Sequence, residues 1–151
     1  MSELRDLYQE VILDHNRRPR NCSVMKCPTK TADGHNPLCG DTVKVYLRIE
    51  DGIIEEISFQ GHGCAICTAS TSLMTEAVTG KTVDEVRRLS VGVREMLTGV
   101  AGEQGVELGK LRVFEGVREY PVRVKCATLP WHTLNAAIDE AESEDNAVTT
   151  E

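Results

Sequence analysis

Three short stretches, far apart along the chain, each set a cysteine where its sulfur could serve a soft metal. They are Asn36-Pro37-Leu38-Cys39-Gly40-Asp41, Gly61-His62-Gly63-Cys64-Ala65-Ile66-Cys67 and Arg123-Val124-Lys125-Cys126-Ala127-Thr128. The first adds a carboxylate, Asp41, two residues after its thiol. Cys39, Asp41, Cys64 and Cys126 together make one tetrahedral donor set, suited to zinc or to iron and sulfur because thiolates are soft donors. Three of them also have an ordinary reading. Asp41 can cap a turn that Gly40 bends, and Cys64 and Cys126 can be packed residues, since free cysteine is often buried. Placement favours the chemistry: Asp41 stands beside Cys39, and Cys64 opens a helix whose free N–H groups favour a thiolate. Cys126, expected near the start of the last helix, gains from the same dipole and from the charges of Arg123 and Lys125.

Cys67 completes a C-x-x-C with Cys64. That pattern suits a dithiol redox site or a zinc knuckle, but no second pair is spaced to complete a zinc ribbon. Cys67 reads as an auxiliary thiol or a small core residue, and Cys22 and Cys27 as incidental. His62 is either a substitute ligand or a solvated loop residue; His15, His35 and His132 give no signal. There is no Ser/His/Asp order, Walker-type loop or dinucleotide fingerprint.

The rest of the chain must position these groups. Its 151 residues fit one domain with a real core. Aromatics are only 4% of residues, so that core must be aliphatic. Net charge is −7, and Asp139, Glu140, Glu142, Glu144, Asp145 and Glu151 account for nearly all of it, with no Lys or Arg after Lys125. No basic surface for nucleic acid is evident. No apolar run is long enough for a membrane span and no start resembles a signal peptide. The expected location is cytoplasmic, where six cysteines serve as ligands or reactive thiols. In a secreted chain the same count would suggest a disulfide framework.

Residues 3–16 predict an amphipathic helix with Leu4, Leu7, Tyr8, Val11 and Ile12 on one face. Residues 42–50 alternate as a half-buried strand, Asp51-Gly52 is a two-residue hairpin turn, and 53–60 return with Ile57 and Phe59 inward. A third strand is expected from the 22–33 region. A helix follows over 65–78, ended by Gly80. Thr82 and Glu85 form a capping box for a short helix over 83–89, with another near 91–98 capped by Ser90. The glycine-rich 99–116 stretch resists assignment. The last helix is expected to begin near Cys126 or Ala127, leaving Pro130 in its first turn, and to run to 142. The acidic remainder, 143–151, is expected to be disordered. There is no internal repeat. The fold class is α+β: a small antiparallel three-stranded sheet packed against helices on one face, in one domain over 1–142.

At its motifs the chain resembles the U-type iron–sulfur assembly proteins, and most closely their SufU type. The resemblance rests on Tyr8…Val11-Ile12-Leu13-Asp14-His15…Arg17…Pro19-Arg20, Asn36-Pro37-Leu38-Cys39-Gly40-Asp41, Gly61-x-Gly63-Cys64-x-Ile66 and Arg123-Val124-Lys125-Cys126-Ala127-Thr128-Leu129-Pro130-Trp131. Two features set it apart from the IscU type. Leu108-Gly109-Lys110-Leu111…Gly116-Val117-Arg118…Tyr120-Pro121 looks like the SufU insertion, and Lys125 stands where the IscU type has His. The resemblance implies zinc held by Cys39, Asp41, Cys64 and Cys126. It implies sulfurtransferase activity, taking persulfide sulfur from a SufS-type cysteine desulfurase and passing it to a SufBCD-type scaffold. Cys39 would carry the persulfide, freed when a desulfurase histidine replaces it on zinc, with Arg123 at the site and at partner contact. The alternative is a scaffold on which a [2Fe–2S] cluster is built on the same ligands. The chain departs from the usual pattern at Cys67, commonly Ser, at the extra Cys22 and Cys27, and at Pro130, commonly Ala.

Overall fold

The computed structural model describes residues 2–37, 40–98, 108–139 and 147–149, with side chains over 6–37, 40–98 and 108–139. Strands β2 (Asp41–Glu50) and β3 (Ile53–His62) form the expected hairpin. Asp51 and Gly52 both take positive φ, 53° and 74°. A primed turn needs that geometry, and its twist matches that of the strands. The alternation decides which side is buried: Val43, Val45, Leu47, Ile57 and Phe59 enter the core, while Thr42, Gln60 and His62 are exposed.

Strand β1 (Lys30–Asn36) lies antiparallel to β2, from Lys30 opposite Leu47 to Asn36 opposite Asp41. It begins well after residue 22, where a third strand was expected. The intervening arm instead lies along the free edge of β3: the Phe59 amide donates to the Asn21 carbonyl at 3.0 Å, and Cys22 bridges to Phe59. The arm therefore covers one edge of the sheet before the chain reaches the other. That second edge receives β4 (Ala147–Thr149), parallel to β1, giving the order β3-β2-β1-β4. Disorder was expected over 143–151. For residues 147–149 the structure differs, because uncharged, strand-compatible Ala-Val-Thr follows the acidic run and meets an edge with unpaired backbone groups. Residues 143–146, 150 and 151 lie outside the described residues.

Helices cover the inner face, α2 (Ala65–Val78) on β3 and α4 (Pro121–Asp139) on β1 and β2. Helix α1 (Ser2–Arg17) packs on α2 through Tyr8, Val11 and Ile12, while Leu7, expected beside them, is exposed. Helix α3 (Val83–Thr98) has its capping box: the Glu85 amide donates to Thr82 Oγ1 and the Thr82 amide to Glu85 Oε1, both at 3.2 Å. The break expected at Ser90 is absent. Its hydroxyl accepts from Asn135 Nδ2 at 2.7 Å, so it ties α3 to α4 and caps nothing. Helix α4 starts five residues earlier than expected, because Pro121 supplies the preset φ of a first helical position. Pro130 then falls inside the helix, where it removes the amide that would bond to the Cys126 carbonyl. Between α3 and α4, a run of 3-10 turns over Gly109–Glu119 buries Leu111, Val113, Phe114 and Val117. Among the described residues, no helix is long and apolar enough to cross a membrane.

Candidate metal centre

The hairpin register sets Thr42 opposite His62, which brings the start of β2 beside the loop that leaves β3. Gly63 makes the approach possible: a Cβ there would lie 2.9 Å from Asp41 Oδ1 and 3.1 Å from Cys67 Cβ. Cys64 then caps α2 with φ −70° and ψ 170°, its Sγ accepting the Cys67 amide at 3.4 Å. From α4 comes Cys126, fully buried, with Asn36 Nδ2 donating to its Sγ at 3.8 Å. The donor atoms of Asp41, Cys64 and Cys126 all lie within 4.8 Å of one another. No other group of three or more His, Cys, Asp or Glu among the described residues converges in this way.

Asp41 is fully buried, and its two oxygens differ. Oδ1 accepts the Cys64 amide at 2.9 Å, whereas Oδ2 has no hydrogen-bond partner among the described residues. A buried polar atom left unpaired costs about 1–3 kcal/mol, more when charged. The turn-cap reading accounts for Oδ1 alone. Oδ2, together with two thiols, suits a metal ion that prefers mixed sulfur and oxygen donors.

Arg123 is exposed in the first turn of α4, one turn before Cys126 and on the same face. The negative charge of Cys64, then hydrogen bonding to Cys126 and its charge, hold its guanidinium protonated more firmly than usual. The dipole argument for Cys126 is corrected by the same geometry. With α4 beginning at Pro121, Cys126 sits in the second turn, beyond the reach of the dipole, and Arg123 supplies the positive charge instead.

Cys39 lies outside the described residues. The chain on either side of it is tied together, Gly40 donating its amide to the Asn36 carbonyl at 2.8 Å with φ +73°. His62 is exposed and outside the cluster; Cys22 and Cys27 are exposed, and Cys67 is buried. Sequence reasoning passed over the amide of Asn36. It also passed over His15, which is buried against α2. Beside Arg123 opens a cleft of about 560 Å³ lined by Tyr8, Ile12, Ile66, Val117 and Tyr120.

The family described as NifU-like N terminal domain matches residues 7–146. The chain belongs to that family. As a NifU-like N-terminal domain it is 35% identical over 141 residues to the zinc-dependent sulfurtransferase SufU of Bacillus subtilis, covering 93% of this chain and 95% of that one. It is 38% identical over 138 residues to the iron–sulfur cluster assembly scaffold protein IscU of Streptococcus pyogenes, covering 91% and 86%. A crystal structure of an iron–sulfur cluster assembly scaffold protein for the SUF system from Fervidobacterium islandicum superposes with a TM-score of 0.81 at 36% identity, over 85% of this chain and 94% of that one. The NifU-like domain described here is thus an iron–sulfur cluster assembly protein by family, and its α+β architecture is the family's fold.

Proposed function

We propose that this chain is a zinc-dependent sulfurtransferase that receives persulfide sulfur from a SufS-type cysteine desulfurase and hands it to a SufBCD-type scaffold in the cytoplasm. The observation that carries the reading is the buried, unpartnered Oδ2 of Asp41 among the sulfurs of Cys64 and Cys126. Asp41, Cys64 and Cys126, with Cys39 as the fourth donor, would hold the ion. Zinc, when bound, keeps thiolates in place without redox chemistry of its own.

Cys39 is the sulfur acceptor. Its thiolate attacks the outer sulfur of the donor's persulfide; a new S–S bond forms at Cys39, and the donor cysteine leaves as a thiolate. Arg123 offsets the negative charge gathered at the site. Asn36 fixes the Cys126 sulfur from the buried side, which leaves the half-buried Cys64 side open to a partner.

The test combines metal analysis and an ultraviolet–visible spectrum of the purified protein, in wild type and Asp41→Ala, with mass analysis after incubation with a cysteine desulfurase and cysteine. Colourless protein with one zinc per chain, weakened by the substitution, and one added sulfur on the Cys39 peptide are expected. Protein that neither gains sulfur at Cys39 nor stimulates the desulfurase sinks the reading. The second reading, a scaffold for a [2Fe–2S] cluster, is favoured by the likeness to the Streptococcus scaffold protein and by sulfur donors that serve iron equally. Brown protein with iron and acid-labile sulfide would select it.

A further inference from the structure

Of the three cysteines that the four-donor set leaves unused, Cys22, Cys27 and Cys67, the fold places Cys67 beside one that the set does use. Cys64 lies just outside the helical dihedrals at the start of α2, with its sulfur folded over the first turn to 3.4 Å from the Cys67 nitrogen. Residues three apart on a helix are about 5–6 Å apart at Cβ, and a disulfide asks for about 3.5–4.5 Å. The capping residue is not held by helical torsions, so rotation at Cys64 closes that difference without unwinding α2. Exposure divides the roles: Cys64 is half-buried and within reach of a substrate, while Cys67 is 3% exposed. The Cys126 sulfur also lies within 4.8 Å of that of Cys64, on the neighbouring helix α4, where the Asn36 amide holds it, and pairing with it is the alternative that the test separates.

We propose that, when no metal is held, Cys64 and Cys67 form a dithiol site that reduces low-molecular-weight disulfides. The Cys64 sulfur would serve either the metal or this chemistry, never both at once. The Cys64 sulfur attacks one sulfur of the substrate disulfide; a mixed disulfide forms and the first substrate thiolate departs. Cys67 then attacks the Cys64 sulfur. The Cys64–Cys67 bond forms, the mixed bond breaks, and the second substrate thiolate departs. Two electrons pass from the cysteine pair to the substrate, and the two thiol protons go to the departing thiolates.

The test uses the full chain, stripped of metal by a chelator under reductant, freed of both without air, and mixed with glutathione disulfide. In a chain carrying Cys22→Ser and Cys27→Ser, which removes the two exposed thiols of the arm, peptide mass mapping is expected to find a Cys64–Cys67 disulfide and two released glutathione thiols per chain. Cys67→Ser is expected to stop at one glutathione held on Cys64. Circular dichroism and an unchanged metal stoichiometry would confirm that this variant folds. Metal-loaded wild type is expected to react at least about tenfold more slowly. Whatever fraction is oxidised should release one metal ion per disulfide to a chromogenic chelator. A wild-type chain that keeps glutathione on Cys64, or that pairs Cys64 with Cys126 or Cys39, overturns the proposal. So does oxidation that leaves the metal bound.

Discussion

Helix α2 meets polar partners at both ends and treats them in opposite ways. Along its second half the hydroxyls of Ser72 and Thr75 are bonded to α1 and the arm. Ser72 Oγ accepts the Arg20 amide at 2.8 Å and bonds to His15 Nδ1 at 2.7 Å, and Thr75 Oγ1 accepts from Asn21 Nδ2 at 2.9 Å. Arg20 in turn pairs with Asp14 at 2.7 Å. At its first turn, Asp41 Oδ2 stays unpartnered beside two thiols. A closed polar network needs nothing further and fastens α1 and the arm to the body. An open carboxylate beside two thiols, unlike the lone unpartnered Ser58 hydroxyl and Trp131 ring N–H, has the donor chemistry of a metal site.

The comparison breaks most visibly at Asp41. Asp41→Ala should lower zinc affinity by more than the ~10–100-fold typical of losing a partner outside the coordination sphere, read by competition with a chelator. Unchanged affinity would mean that the open network is not a metal site. Asn36→Ala, which removes only the amide on the Cys126 sulfur, should fall within that ~10–100-fold range. At the closed end, Ser72→Ala leaves the His15 ring buried without its hydroxyl partner. It should cost about 1–3 kcal/mol in urea unfolding while leaving metal stoichiometry untouched; a loss of metal would merge the two ends into one network.

Acid sharpens the same contrast. Burial first, and then the Arg20 charge, push the His15 pKa below its ordinary 6.5. As pH falls below 6.5 the unfolded chain binds the proton before the folded one does, so stability is full above 6.5 and declines as pH drops toward the folded pKa. Burial shifts His132 in the same direction, so the slope of stability against pH should shrink but not vanish in His15→Gln. An unaltered slope would remove His15 from the account. The smallest effect belongs to Thr82→Ala, far from both ends, which should cost about 0.5–2 kcal/mol as a lost cap and change neither metal binding nor acid sensitivity.

What the sequence made legible follows from how local each cause was. The hairpin and α2 were readable because alternation, Asp51-Gly52 and the Gly63-Cys64 junction act within a few residues. Ser90 was misread because its partner, Asn135, is 45 residues away. The start of α4 was misplaced because a proline at 121 and another at 130 look alike until the helix axis is known, and β4 needed a sheet edge that no local pattern announces. At the site, Asp41, Cys64 and Cys126 were named from donor chemistry and spacing, and the structure brings those three together. The role of Asn36 was hidden because an amide aimed at a distant sulfur leaves no spacing signature.

Pro130 gives the site a mechanical property. The helix turn that carries Cys126 lacks one rung of its ladder, the bond from residue 130 to the Cys126 carbonyl. A sulfur mounted on such a turn has some compliance along the helix axis. Trp131 and Leu134, both buried, keep the rest of α4 seated in the core.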